Sequence, residues 1–123
     1  MPTMPSCEML LLEQSGERLN MTFNRPESRN AINAQMAAEI ADVVDWLDGA
    51  GDVRVVVLRG AGGHFCAGGD IKERRGMADT AAASDGVDQL MEDNRRAGLQ
   101  FLQFEQLAPT TISLVEGSAF GGG

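Results

Sequence analysis

Two glycine-rich segments, each following a buried-looking strand, limit what this chain can fold into more than any other feature. The first, Gly60-Ala61-Gly62-Gly63-His64-Phe65-Cys66-Ala67-Gly68-Gly69-Asp70, follows Val53 to Leu58; the second, Gly117-Ser118-Ala119-Phe120-Gly121-Gly122-Gly123, follows Thr111 to Val115. Val53 to Leu58 is nearly continuous in β-branched and apolar residues, which suits a strand covered on both faces. Glycine lets backbone N–H groups approach a ligand with no side chain in the way. Where such a loop opens a helix, the exposed N–H groups and the helix dipole favour negative charge there. Two N–H groups, one from each loop, converging on one carbonyl oxygen would form an oxyanion hole worth about 3–4 kcal/mol per donor in a transition state. Either loop taken alone also reads as a tight turn, because glycine punctuates strands everywhere.

The segments around these loops alternate between strand and helix patterns. Glu8 to Gln14 holds Met9-Leu10-Leu11-Leu12. Beyond Ser15-Gly16, the stretch Arg18 to Asn24 alternates polar Arg18, Asn20 and Thr22 with apolar Leu19, Met21 and Phe23, so a two-stranded hairpin is predicted. Arg25-Pro26-Glu27-Ser28 interrupts it, since proline donates no ladder hydrogen bond. From Asn33, an N-cap, apolar residues at Met36, Ile40, Val43, Val44 and Leu47 mark one face of a helix that ends at Gly49-Ala50-Gly51. Asp70-Ile71-Lys72-Glu73 reads as a helix start with a reciprocal cap, and Gly76 to Gly86 as a surface loop. Val87 to Leu107 reads as a second helix with Leu90, Met91, Phe101, Leu102 and Phe104 as core contacts and Gly98 as its weak point. This order, with no linker in it, is that of an α/β fold.

A net charge of −8 opposes broad binding to nucleic acid or anionic membranes, which are themselves negative. An anionic ligand therefore needs a local basic patch. Lys72, the one lysine, forms such a cluster with Arg74 and Arg75, although the same three residues also describe a solvated helix face. Cys7 and Cys66 lie far apart with no CxxC or histidine-rich partner, which argues against a disulfide framework or a metal site and for a reducing compartment. Residues 1–6 carry no basic region leading into an apolar run, and no stretch approaches about eighteen apolar residues, so a cytoplasmic location is predicted.

Nucleotide-binding glycine motifs do not fit. Gly60-Ala61-Gly62 begins like a dinucleotide fingerprint, but Phe65 stands at the third glycine position, and no Gly-Lys-Ser/Thr phosphate loop is present. His64, the lone histidine, reads as a surface or loop-packing residue rather than a base. Cys66 reads as a small buried residue, because no basic partner for a thiolate is in view. Asp70 reads as a cap, and Trp46 as core.

Three stretches carry a resemblance. Phe65-Cys66-Ala67-Gly68-Gly69-Asp70-Ile71-Lys72-Glu73 resembles the first signature of the crotonase superfamily, the enoyl-CoA hydratase/isomerase proteins. Asn24-Arg25-Pro26-Glu27-Ser28-Arg29-Asn30-Ala31-Ile32 resembles the loop before that family's first helix, and Glu116 to Gly123 its second signature. The three occur in the family's order across essentially the whole chain. The resemblance implies a crotonase-like spiral of ββα units, truncated, in which residues 1–123 are the N-terminal part of a single crotonase-like domain. It further implies that the N–H groups of Gly69 and Gly122 form the oxyanion hole, and that Gly69, Asp70, Ile71 and Lys72 line the acyl-CoA site. Ala67 would meet the adenine through its backbone, Ala31 would join the CoA-binding loop, and Arg25 and Arg29 would lie near the CoA phosphates.

The implied reaction is addition of water to the 2,3-double bond of an acyl-CoA, with coenzyme A arriving as part of the substrate and no separate cofactor. The family's two acid/base glutamates are implied to lie beyond Gly123, as are the helices that build homotrimers or hexamers. Other crotonase activities (isomerase, hydrolase, lyase) and a catalytically incomplete acyl-CoA-binding fragment stay open, because they differ in the residues beyond this stretch. All these readings require the two glycine loops to lie side by side. Loops far apart in space would favour an unrelated α/β binding domain.

Overall fold

The computed structural model describes residues 3–69 and 84–120. Its elements are strands β1 (Leu10–Ser15) and β2 (Arg18–Phe23), a 3-10 turn at Pro26–Ser28, helix α1 (Ala34–Gly49), strand β3 (Val55–Gly60), a 3-10 turn at Ala61–Gly63, helix α2 (Ser84–Glu105) and strand β4 (Thr110–Ser113). The strands form one sheet in the order β1-β2-β3-β4. β1 and β2 are the antiparallel hairpin that the alternation predicts, and β2, β3 and β4 run parallel. Parallel neighbours require a crossover, and α1 supplies the one between β2 and β3. By its internal contacts the chain divides into two compact units, residues 1–69 with 107–123, and residues 70–106.

Register sorts the sheet's side chains. Leu19 pairs with Val56 and Met21 with both Leu12 and Leu58, while Phe23 pairs with Leu10. Leu10, Leu19, Met21, Phe23, Val56 and Leu58 are buried together with Met36, Ile40, Val43, Val44 and Leu47 of α1. Each such side chain removed from water contributes on the order of 1.5–3 kcal/mol. Asn33 caps α1 as its sequence position predicts, the side-chain oxygen accepting from the Met36 N–H at 2.8 Å.

Several expectations are corrected. The strand expected at Thr111 to Val115 is β4, Thr110–Ser113, and all four of its residues are exposed rather than buried. β3 starts two residues later than the apolar run: the Val53 N–H bonds the Ala50 carbonyl in a turn, so Val53 is buried without joining the ladder. The strand's two faces also differ, with Val56 and Leu58 buried but Val55 and Val57 half-buried and Arg59 exposed. α2 runs from Ser84 to Glu105 rather than from Val87 to Leu107. Most of its assigned core contacts face solvent: Met91 is 66%, Phe101 50% and Leu102 45% exposed, while Phe104 is half-buried. On the helical stripe that runs from Met91 to Leu102, the intermediate positions are Arg95 and Gly98, which break its apolar continuity. Arg95 and Arg96 instead pair with Glu92 at the surface. Leu90 lies outside the described side chains. Of the loop expected at Gly76 to Gly86, residues 84–86 belong to α2 instead, while 76–83 and the expected helix start at 70–73 lie outside the described residues. Among the described residues no helix is long and apolar enough to cross a membrane.

The segment before β1 is tied down by one carboxylate. Glu39, a buried residue of α1, accepts the Glu8 and Met9 N–H groups on Oε1 at 2.9 and 2.8 Å, and Gln35 Nε2 on its other oxygen at 3.1 Å. Burial, followed by the nearby Glu39 charge, pushes the Cys7 thiol up from 9.0 to about 11. Since only the thiolate attacks an alkylating agent, Cys7 in the folded chain at pH 8 should react with iodoacetamide about a hundredfold more slowly than an ordinary thiol. Glu39→Gln, which removes the charge and loosens the strap, should restore at least about tenfold of that rate. Rapid alkylation of Cys7 in the unaltered chain, read by mass spectrometry, would contradict this placement.

Candidate functional site

Three loops meet beyond the C-terminal ends of β2, β3 and β4, and Asn30 is the residue on which they meet. Arg25-Pro26-Glu27-Ser28 turns the chain out of β2, after which Arg29 and Asn30 both adopt left-handed backbone, with φ of 52° and 59°. Asparagine tolerates this region better than most residues. The turn sends the Asn30 side chain inward, where it is 0% exposed. Its Oδ1 accepts the Arg25 N–H at 2.8 Å, and its Nδ2 donates to the carbonyls of Ala61 at 2.9 Å and His64 at 2.7 Å. One amide thereby satisfies a donor of the first loop and two acceptors of the second.

The backbones extend this contact. Ala67 N–H donates to the Arg29 carbonyl at 3.0 Å and Ile32 N–H to the Gly68 carbonyl at 2.7 Å, placing Ile32 opposite Gly69 in a parallel bridge. In such a bridge Ile32 spends its own N–H on Gly68, so the Gly69 N–H is directed away from Ile32. Close approach here demands glycine at position 60: a Cβ there would overlap the carbonyl oxygens of His64 and Phe65.

The second glycine loop lies alongside the first. Phe65 N–H donates to the Glu116 carbonyl at 2.8 Å, Cys66 N–H to Ser118 at 3.0 Å and Phe120 N–H back to Cys66 at 3.1 Å. Cys66 and Ala119 form a parallel bridge. His64 adds a side-chain link, its Nδ1 accepting the Ser118 N–H at 3.1 Å. Phe65 anchors the first loop below, edge-on to Phe23 with ring centroids 5.4 Å apart. Cys66 is fully buried, and burial pushes its thiol up against the opposing effect of the Gly68 N–H. That environment keeps it a packing residue and not a nucleophile.

The structure therefore brings Arg25, Arg29, Ala31, Ala67 and Gly69 to one loop cluster. Arg25 uses Nη1 to hold the Ala31 carbonyl at 2.9 Å, so part of its donor set serves the loop itself; Arg29 is exposed. Ala31 is buried, and Ala67 and Gly69 are half-buried. Asp70, Ile71, Lys72 and Gly122 lie outside the described residues, as do Arg74 and Arg75. Among the described residues no cluster of His, Cys, Asp and Glu could hold a metal. A cleft of about 360 Å³ between the end of α1 and the start of β3, lined by Leu47, Asp48, Val53 and Arg54 among others, sits at the opposite end of β3. In the sequence Asn30 is distinguished only by its place in the Asn24–Ile32 motif. The available signal was an asparagine following a proline turn, a residue suited to left-handed backbone.

Comparison with known proteins gives the same family at three levels. The family model for enoyl-CoA hydratase/isomerase matches residues 13–123. An enoyl-CoA hydratase of Mycobacterium tuberculosis is 33% identical over 100% of this chain and 44% of its own length. A hydroxycinnamoyl-CoA hydratase-lyase of Pseudomonas fluorescens is 39% identical over 82% of this chain and 36% of its own length. The crystal structure of an enoyl-CoA hydratase/isomerase from Marinobacter aquaeolei superposes with a TM-score of 0.83 at 41% identity, covering 95% of this chain and 44% of that one. The chain thus spans less than half the length of these relatives.

Removing the Asn30 side chain takes their partner from one part-buried N–H and two part-buried carbonyls, each loss costing on the order of 1 kcal/mol. Asn30→Ala should lower unfolding free energy by about 3 kcal/mol, measured by urea denaturation. Asn30→Asp, which sets a carboxylate oxygen against two carbonyls, should do no better at neutral pH. A loss below about 1 kcal/mol in both variants would show that the three loops do not depend on this amide.

Proposed function

The chain belongs to the enoyl-CoA hydratase/isomerase family, with the crotonase-type α/β fold, and on that premise we propose that it forms the oxyanion-hole half of an acyl-CoA site used to hydrate a 2,3-enoyl thioester. In this proposal the thioester carbonyl lies between the N–H of Gly69 and that of Gly122. Water adds its oxygen to C3, electron density moves through the conjugated system onto the thioester oxygen, and protonation at C2 completes the addition. The two N–H groups hold the charge that develops on the oxygen. Donors aimed at developing charge accelerate more than they bind, because the interaction is strongest in the transition state. Arg25 and Arg29 are proposed to face the CoA phosphates, and Ala31, Ala67, Asp70, Ile71 and Lys72 to line the rest of the site. Coenzyme A enters as part of the substrate.

The observation that carries this reading is the ladder between the two glycine loops, from Phe65 and Cys66 to Glu116, Ser118 and Phe120. It supports convergence of two N–H groups, since Phe120 leads directly into Gly121-Gly122-Gly123 in the sequence while the Gly69 N–H is not used by its bridge partner Ile32. An unrelated α/β binding domain would have no reason to hold its two glycine loops in register.

A second reading is an acyl-CoA-binding chain that does not itself hydrate the thioester. The two readings separate in one assay with purified chain. Both predict saturable binding of crotonyl-CoA, tighter than free coenzyme A; only the first predicts loss of the enoyl absorbance as water adds. Gly69→Pro, which removes one donor, should reduce any hydration rate about 10²- to 10³-fold with little change in KM. Binding of crotonyl-CoA no tighter than of coenzyme A alone would overturn both.

A further inference from the structure

We infer that His64 is a positioning residue: as a neutral imidazole it accepts the Ser118 N–H and so seats the second glycine loop, and with it the second oxyanion donor, on the first. Three independent contacts place His64 between the loops. Its backbone carbonyl is held by Asn30 Nδ2 at 2.7 Å, which fixes the residue from the first loop's side. Its Nδ1 accepts the Ser118 N–H at 3.1 Å, which fixes the second loop from the ring. The ring also lies directly on Gly117: a Cβ there would stand 2.6 Å from Nδ1, and Gly117 has a φ of +59°. The second loop is thus glycine at the position where the imidazole rests, and hydrogen-bonded at the next.

The chemistry of this contact is directional. Nδ1 can accept only when it carries no proton, so the ring's hydrogen resides on Nε2. A protonated ring has no acceptor and would turn an N–H toward the Ser118 N–H. Among side chains of similar reach, asparagine offers an oxygen on the same Cγ branch as Nδ1 and alanine offers nothing. Ser118 precedes the ladder bond from Phe120 to Cys66, so releasing it loosens the segment that leads to Gly122. The geometry stands on the free chain alone. Its consequence for catalysis rests on the acyl-CoA reading above.

The test uses the whole chain and three forms of it: unaltered, His64→Ala and His64→Asn. In the free proteins, amide hydrogen exchange of Ser118 and Phe120 should rise about fivefold or more in His64→Ala, the size of one lost hydrogen bond, and return to within about twofold in His64→Asn. At saturation with the CoA thioester of 4-(dimethylamino)cinnamic acid, the red shift of the conjugated carbonyl should fall by about half or more in His64→Ala while Kd changes less than about threefold. His64→Asn should recover it. A general loss of structure would change exchange throughout and would not be reversed by asparagine. Unchanged Ser118 exchange, an undiminished red shift in His64→Ala, or no recovery in His64→Asn would each overturn the inference. If His64→Ala does not fold, wild-type exchange in His64→Asn sustains the inference and raised exchange overturns it. If the unaltered chain binds no thioester, the acyl-CoA reading fails by itself, and the exchange measurements still decide the role of His64.

Discussion

Burying an amide is favourable only when every hydrogen-bonding group on it is used, and Asn30 meets that condition by joining two loops. Fully enclosed, it accepts from Arg25 and donates to Ala61 and His64. The sheet delivers the ends of β2, β3 and β4 to the same side, but a sheet alone does not dictate where the loops beyond it go. The Asn30 amide does, because any displacement of the first glycine loop takes the two carbonyls of Ala61 and His64 off a fully buried donor that has no other use for its hydrogens. Ladder bonds from Ala67 to Arg29 and from Ile32 to Gly68 then carry the register outward to Gly69.

From that anchor the site grows by backbone hydrogen bonds more than by charged side chains. The second loop adds to the first as a continuation of the β3–β4 ladder: the Leu114 N–H donates to Leu58, and the bonds of Phe65, Cys66 and Phe120 follow. Backbone donors held this way need no reorganisation when charge develops beside them, which is the property an oxyanion site requires. A chain of net charge −8 could accept the anionic ligand proposed above on the same grounds. Local N–H groups and a few arginines act at short range, whereas the overall charge is screened beyond about 8–10 Å.

Much of this was legible in the residues themselves. The hairpin followed from the alternation Leu19, Met21, Phe23; α1 followed from the Asn33 cap and the stripe from Met36 to Leu47; and both glycine loops were located by composition alone. Errors arose where burial and pairing part company. Val53 is apolar and buried yet belongs to a turn, while Gly60 looks like loop and still pairs with Phe23 in the ladder. In α2 the apolar residues do not make core, because Arg95 and Gly98 interrupt their stripe, and Met91, Phe101 and Leu102 lie largely exposed. The role of Asn30 was not legible, because its partners at Ala61 and His64 are 31 and 34 residues away. His64 is legible as a surface or loop-packing residue, but its partner Ser118 lies 54 residues on. Only the fold brings such pairs together.

The proposal that matters most is that the N–H groups of Gly69 and Gly122 meet on one oxygen atom. A crystal structure of this chain with a bound, non-hydratable acyl-CoA such as butyryl-CoA tests it most directly. The account predicts the thioester oxygen within about 3 Å of both the Gly69 and the Gly122 backbone nitrogen, with the Asn30 and His64 contacts intact. A thioester carbonyl reached by only one of these nitrogens, or bound away from both loops, would contradict it.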